Sequence, residues 1–215
     1  MDPTCETLKP LDELLKEDFR NTILSYQNPT TKEWRRQEAR DLHRLAAHAR
    51  LGDHVPGKLQ SHFAMAQNLA LYAWFYFPFH MAAQLHAFAS LEFALREVLQ
   101  PANRAETTLF RMLTRAVAQQ LITDSALVLH PAPKSPDGKF PALVMVKGSD
   151  GIRRREARWF PRWVETLPHF LPERRNDLAH GSTTLWEDPS VLWICADLIN
   201  QLYRSPGSPP KGPAN

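Results

Sequence analysis

The sequence predicts a mainly α protein: a helical bundle with a helical N-terminal extension and a small β-hairpin or loop insertion. Three observations carry this. From Leu59 to Leu91 there is no Lys, Arg, Asp or Glu. Apolar residues recur at intervals of three and four in several separate segments. Proline and glycine clusters fall between those segments, where helices start and stop.

Residues 1–58 are charged and mixed, with six acids and three bases in the first 20 positions. Trp34, Leu42, Leu45, Ala46 and Ala49 fall on one face of a helix expected over roughly 31–50. Gly52 and the Val55-Pro56-Gly57 turn end this helical N-terminal extension. Leu59 to Phe77 reads as one helix. Phe79 to Gln100 reads as a second, or as its continuation kinked at Pro78. In the latter, Leu85, Phe88, Leu91, Leu95, Val98 and Leu99 repeat at helical spacing, and Pro101 closes the segment. Leu109, Leu113, Ala116, Val117 and Leu121 mark a further helix over roughly 104–123.

The pattern then changes. Ala126 to His130 and Ala142 to Val146 are short aliphatic runs separated by Pro131, Pro133, Pro136 and Asp137-Gly138. With the turn cluster Gly148 to Gly151, they predict a β-hairpin or ordered-loop insertion over 126–158. Pro161 to Gly181 returns to helix, in one or two pieces. Pro172 suits the first position of a second piece, and Gly181 suits its stop. Asp188-Pro189 opens the last helix, whose apolar face is Val191, Ile194, Cys195, Leu198 and Leu202. The tail 204–215 is rich in Pro, Gly and Ser and is expected to be disordered.

Bulk properties narrow the function. The 215 residues suit one domain with an extension, or one domain and a small second one, and 43% hydrophobic residues permit a sizeable core. A formal charge of +3 is only a mild pointer to an anionic partner. Cys5 and Cys195 are too few and too far apart for a local disulfide framework or metal clip, which fits a reducing cytoplasm. The N-terminus has neither the basic nor the apolar region of a signal peptide. The unbroken apolar run Leu69 to Phe79 includes Pro78 and is flanked by Gln67, Asn68 and His80. It is too short for a membrane span and reads as a buried helix, so no membrane partner is expected. No phosphate-loop, dinucleotide or serine-hydrolase motif is present. The histidines form no His-Glu-x-x-His or Cys/His ligand set.

The informative segment is Pro172-Glu173-Arg174-Arg175-Asn176-Asp177-Leu178-Ala179-His180-Gly181. Asn176 and His180 are four apart and share a helical face; Arg175 is one step round. Arg175-x4-His180, with Asn after the Arg and Gly after the His, resembles the R-x4–6-H motif of HEPN (higher eukaryotes and prokaryotes nucleotide-binding) domains. The upstream run Leu91 to Arg96, the helix Leu109 to Ile122 and the closing Leu198 to Tyr203 fit that resemblance, which covers 59–203 apart from the 126–158 insertion.

The resemblance implies a helical bundle and a metal-independent, cofactor-free endoribonuclease in prokaryotic defence or a toxin-like role. His180 would act as acid or base, Arg175 as the cation that steadies phosphate, and Asn176 as an orienting group. One motif supplies one imidazole. A homodimer with a composite site is therefore expected, giving 2′,3′-cyclic phosphate and 5′-hydroxyl ends. An antitoxin or regulatory partner is compatible with such a role. Some HEPN toxins carry a Tyr two residues after the His, the target of nucleotide transfer by an antitoxin. Here that position is Ser182, so that mode is not expected.

From Arg153 to Arg175 there are seven Arg and three Glu, interleaved with Trp159, Phe160 and Trp163. Arg153, Arg154, Arg155, Arg158 and Arg174 are candidate RNA contacts, since cations and aromatic rings together suit single strands. The plainer reading is a solvated strand or loop edge. His169 is a candidate second proton carrier or an ordinary helix-end His. Glu92 either positions Arg175 or pairs with Arg96 on its own helix. The alternative function is a catalytically silent module that binds RNA, a nucleotide or a protein. A third reading is a structural helical dimer in which the motif only braces a helix end.

Overall fold

The computed structural model describes residues 8–27, 31–124, 127, 137–147, 153–180 and 190–204. It is mainly helical, with seven α-helices among these residues and two small two-stranded sheets. None of the described helices is long and apolar enough to cross a membrane.

The hub is α4, Phe79–Leu99. Its buried positions recur at intervals of three and four and form one broad face, and most of its other positions are half-buried. Small residues (Ala83, Ala87, Ala94) admit neighbouring helices closely, and Phe88, Leu91 and Leu95 fill the space between. Against it pack α3 (Gly57–Tyr72), α5 (Leu109–Ala118), α6 (Leu167–Ala179) and α7 (Ser190–Leu202). Cys195 is buried in α7 among these residues, as a small core residue.

The break between α3 and α4 falls earlier than the sequence suggests, at Tyr72 rather than Phe77. The N-terminal segment explains it. Asn21 Nδ2 donates to the carbonyls of Ala73 and Trp74 at 2.9 and 3.0 Å, and the Asp18 N–H donates to Trp74 O at 2.8 Å. The Asp18 carboxylate accepts from the Phe77 N–H at 3.0 Å. Backbone groups orphaned at a helix end are thus satisfied from outside. The aromatic turn Trp74 to Phe77 is wrapped by this strap, with Arg20 over the Phe77 ring.

The extension is less helical than the sequence pattern implies. A short α1 (Phe19–Ile23) leads into an antiparallel pair, β1 (Ser25–Gln27) with β2 (Trp34–Arg36). The helix expected over 31–50 is α2, and it runs only over Ala39–His48. Trp34 sits in β2 and is exposed, so it does not join the apolar face of α2. The start is fixed by Asp41, whose buried carboxylate accepts from the Glu38 N–H at 2.9 Å and from both terminal nitrogens of Arg35. Ala49, Leu51 and Val55 belong to the same core as the bundle. Asn200 of α7 ties this turn down: its side-chain oxygen accepts from the Gly52 N–H at 2.7 Å, and its amide donates to Arg50 O at 2.9 Å.

The expected insertion contains a true hairpin, β3 (Phe140–Lys147) with β4 (Arg153–Phe160), in register from Phe140↔Phe160 to Lys147↔Arg153. Ala126 and the stretch 128–130, the first aliphatic run apart from Leu127, lie outside the described residues, as do Gly148–Gly151, Gly181–Pro189 and 205–215. Phe140 and Val144 are buried, and β3 packs on α6. The expected helix over 104–123 is shorter, with a 3₁₀ turn at Arg104–Thr107 before α5.

Pro172 does not start a second helical piece. α6 runs through it, with Pro168 in the first turn. Pro172 forfeits the hydrogen bond to the residue-168 carbonyl. Burial of Leu167, Leu171 and Leu178 along one face holds the helix together.

The strap predicts acid sensitivity. Burial pushes the His80 imidazole down from 6.5 to about 4, against a weaker upward pull from Asp18. Burial also raises the Asp18 carboxyl, but hydrogen bonds from Arg20 and Phe77 outweigh it and hold it below its ordinary value of 3.8. Between pH 6.5 and about 4 the unfolded chain protonates His80 and the folded chain does not, so stability falls as pH falls. Asp18 contributes above 3.8, and that contribution is lost as pH drops through its lower folded value. Urea midpoints measured from neutral pH down to about 4 should decline, and His80→Gln should flatten that decline.

Candidate active site

α6 carries the Arg-Asn-x-x-x-His motif over the C-terminal half of the helix. His180 is its C-cap, and its N–H donates to Asn176 O at 2.9 Å, closing the last turn. Both Asn176 and His180 are exposed. Among the described residues, neither side chain has a hydrogen-bond partner. The imidazole therefore stands in solvent at a helix end, with the amide of Asn176 one turn back on the same face.

Arg175 is anchored rather than free. Its Nε donates to Glu92 Oε1 of α4 at 3.0 Å. The other oxygen of that carboxylate accepts from Arg96 at 2.8 Å. The Glu92 carboxylate thus pairs both along α4 and across to α6. Its side chain is 12% exposed and that of Arg175 is 38% exposed. Two guanidinium groups on one carboxylate leave a local charge of +1. Among the described residues Arg175 is held through Nε, so its two terminal nitrogens keep their N–H groups for another anion, in the fork geometry that fits phosphate.

The candidate RNA-contacting arginines separate into groups. Arg174 turns back to α4, where it donates to Gln84 Oε1 at 3.0 Å; it is a packing contact of α6 rather than a member of the exposed set. Arg155 pairs with Glu173 of α6. Arg154 and Arg158 are exposed on β4. Arg153 pairs in register with Lys147 at the strand end, and its side chain is outside the described residues.

His169 lies elsewhere. It precedes His180 by 11 positions on the same helix, which puts them ~16 Å apart along the axis. Its ring packs between Phe110 and Phe160, with centroids at 5.5 and 5.2 Å. Burial, and secondarily the Arg158 charge, hold its imidazole below the ordinary value. It cannot share a phosphate with the His180 of its own chain.

One cluster had no sequence signal. His62 of α3 and His86 of α4 stack at 4.4 Å, with His62 Nδ1 at 2.8 Å from Ser90 Oγ. They are 24 positions apart, and only the α3–α4 packing brings them together. No group of three or more metal-ligating side chains occurs among the described residues. Comparison with protein-family models, curated proteins and solved structures returned no match.

The Glu92 anchor makes a prediction. Glu92→Gln keeps the shape but removes the charge that orients Arg175 and Arg96. If Arg175 holds the phosphate of an RNA substrate, its displacement should lower kcat/KM for cleavage by ~10–100-fold. Thermal stability should change little, because the group sits at the rim of the core. A Tm drop matching that of a core deletion would show that Glu92 is structural only.

Proposed function

We propose that this chain is a metal-independent endoribonuclease of the HEPN type. The observation that supports the reading is an anchored cation, Arg175 on Glu92, together with an exposed imidazole, His180, that has no side-chain partner among the described residues, at the end of the same helix. In the proposed reaction one His180 takes the proton from a ribose 2′-hydroxyl. The 2′ oxygen attacks phosphorus, and the bond to the 5′ oxygen breaks. A second imidazole, the partner's His180 in a twofold dimer, gives its proton to the leaving 5′ oxygen. The terminal N–H groups of Arg175 stabilise the charge that builds on the phosphorane. Arg154 and Arg158 guide the strand to the site through its backbone charge. A role in prokaryotic defence or as a toxin-like effector follows from the same resemblance.

The ion pair at Arg175 favours one other reading. A guanidinium whose charge is offset by Glu92 also suits a silent module that holds RNA or a nucleotide without cutting it. Analysis of product ends separates the two. RNA incubated with the full chain should yield fragments with 2′,3′-cyclic phosphate and 5′-hydroxyl ends. Bound but intact RNA supports the silent module. Fragments ending in 3′-hydroxyl and 5′-phosphate contradict the proposed chemistry.

A further inference from the structure

Glu92 is shared by two cations that come from different helices. Arg175 of α6 reaches one carboxylate oxygen through Nε at 3.0 Å, and Arg96, one turn further along α4, reaches the other through Nη2 at 2.8 Å. Their exposures are graded. The Glu92 side chain is 12% exposed, that of Arg175 38% and that of Arg96 50%. The carboxylate is the inner member of the group, and the two guanidiniums are the outer ones, open to solvent.

Two like charges held this close repel, and one carboxylate offsets only one of them. No other carboxylate among the described residues pairs with either arginine. Glu97, next along α4, is bound by Lys58 and Tyr203. Glu173 pairs with Arg155. Asp177 is exposed two positions past Arg175, about 200° round α6 and so on its opposite side.

A guanidinium has more N–H groups than Glu92 uses. Arg175 retains both terminal nitrogens, and Arg96 retains Nε and Nη1. The two side chains already converge on one anion, with one oxygen apiece. The non-bridging oxygens of a phosphodiester form an anion of the same kind, two oxygens on one centre sharing one charge. We infer that Arg96 and Arg175 together grip one phosphodiester of an RNA strand on the side opposite Glu92, each donating to one non-bridging oxygen. Charges then alternate round the site as Glu92, Arg175, phosphate and Arg96, so that each cation lies between two anions. Arg96 thereby becomes a substrate-binding residue outside the Arg-x4-His run. That the anion is RNA rests on the nuclease reading; the two-arginine site itself does not.

The test is binding of a dinucleoside monophosphate with a 2′-O-methyl ribose. It carries one phosphodiester and lacks the attacking hydroxyl, so it stays whole. Binding is followed by NMR chemical shifts of the full chain at low salt. Arg96→Ala leaves Arg175 on Glu92, and Arg175→Ala leaves Arg96 on it. Each should weaken binding about tenfold, the loss of one hydrogen bond to a charged group. Arg40→Ala removes an exposed, ion-paired arginine from α2 and should leave the affinity unchanged. All three variants should keep the wild-type circular dichroism. Wild-type affinity in Arg96→Ala would leave Arg96 a salt-bridge partner only and overturn the inference. An equal loss in Arg40→Ala, or a wild type that does not bind the diester, overturns it too. Inorganic phosphate is titrated in parallel. If it binds through Arg96 and the diester does not, the site takes free phosphate and the assignment to a strand falls. Failure of the catalytic reading looks different: RNA stays uncut while the diester still binds through both arginines.

Discussion

His180→Ala should lower the rate of RNA cleavage by ~10²–10⁴-fold, the range lost when a positioned acid–base group is removed. The imidazole is exposed and, among the described residues, makes no side-chain hydrogen bond, so its removal opens no cavity and breaks no network. Tm should therefore move by no more than about 1 °C, since a surface change of this kind is worth within ±0.5 kcal/mol. A large loss of activity at unchanged stability is the signature of a reacting group. Arg175→Ala is expected to behave differently. It removes the proposed phosphate clamp and also leaves Glu92 with Arg96 among the described residues, so a loss of rate should come with a small loss of stability.

The largest stability effect is expected at the hub. Phe88→Ala should cost ~3–5 kcal/mol, the range for emptying a buried aromatic site. Phe88 is fully buried in α4, on which α3, α5, α6 and α7 all pack, so no single helix can slide in to refill the space. For a chain of this size the cost corresponds to a drop of roughly 10 °C in Tm. Met65→Ala, on the exposed side of α3, is the matched control and should change Tm by no more than a degree or two. Equal effects at the two positions would mean that α4 is not the centre of the core.

The helices around α4 were legible because their apolar spacing and their proline boundaries agree. Pro78 separates two helices, and the apolar faces of α5 and α7 lie where the spacing puts them. What the sequence concealed depends on contacts far along the chain. Trp34 fits a helical face by spacing, but Arg35 and Asp41 pin the chain so that α2 begins after it. Pro172 looks like a helix start, yet tertiary burial of Leu171 and Leu178 carries α6 through it.

At the site, the proximity of Glu92 to Arg175 across 83 positions came from the family resemblance, not from any local pattern, and the structure adds Arg96 to the pair. That Arg174 faces Gln84 while Arg175 faces Glu92 could not be read from two adjacent arginines. The hairpin was half legible. The aliphatic run of β3 reads as a strand, whereas β4, with four arginines in eight residues, is a strand through its pairing.

Cleavage of labelled RNA in excess EDTA, with wild type and His180→Ala side by side, tests the central claim most directly. The account expects cleavage that survives the chelator and disappears in the variant. Equal cleavage by both proteins, or loss of wild-type cleavage in EDTA, would contradict it.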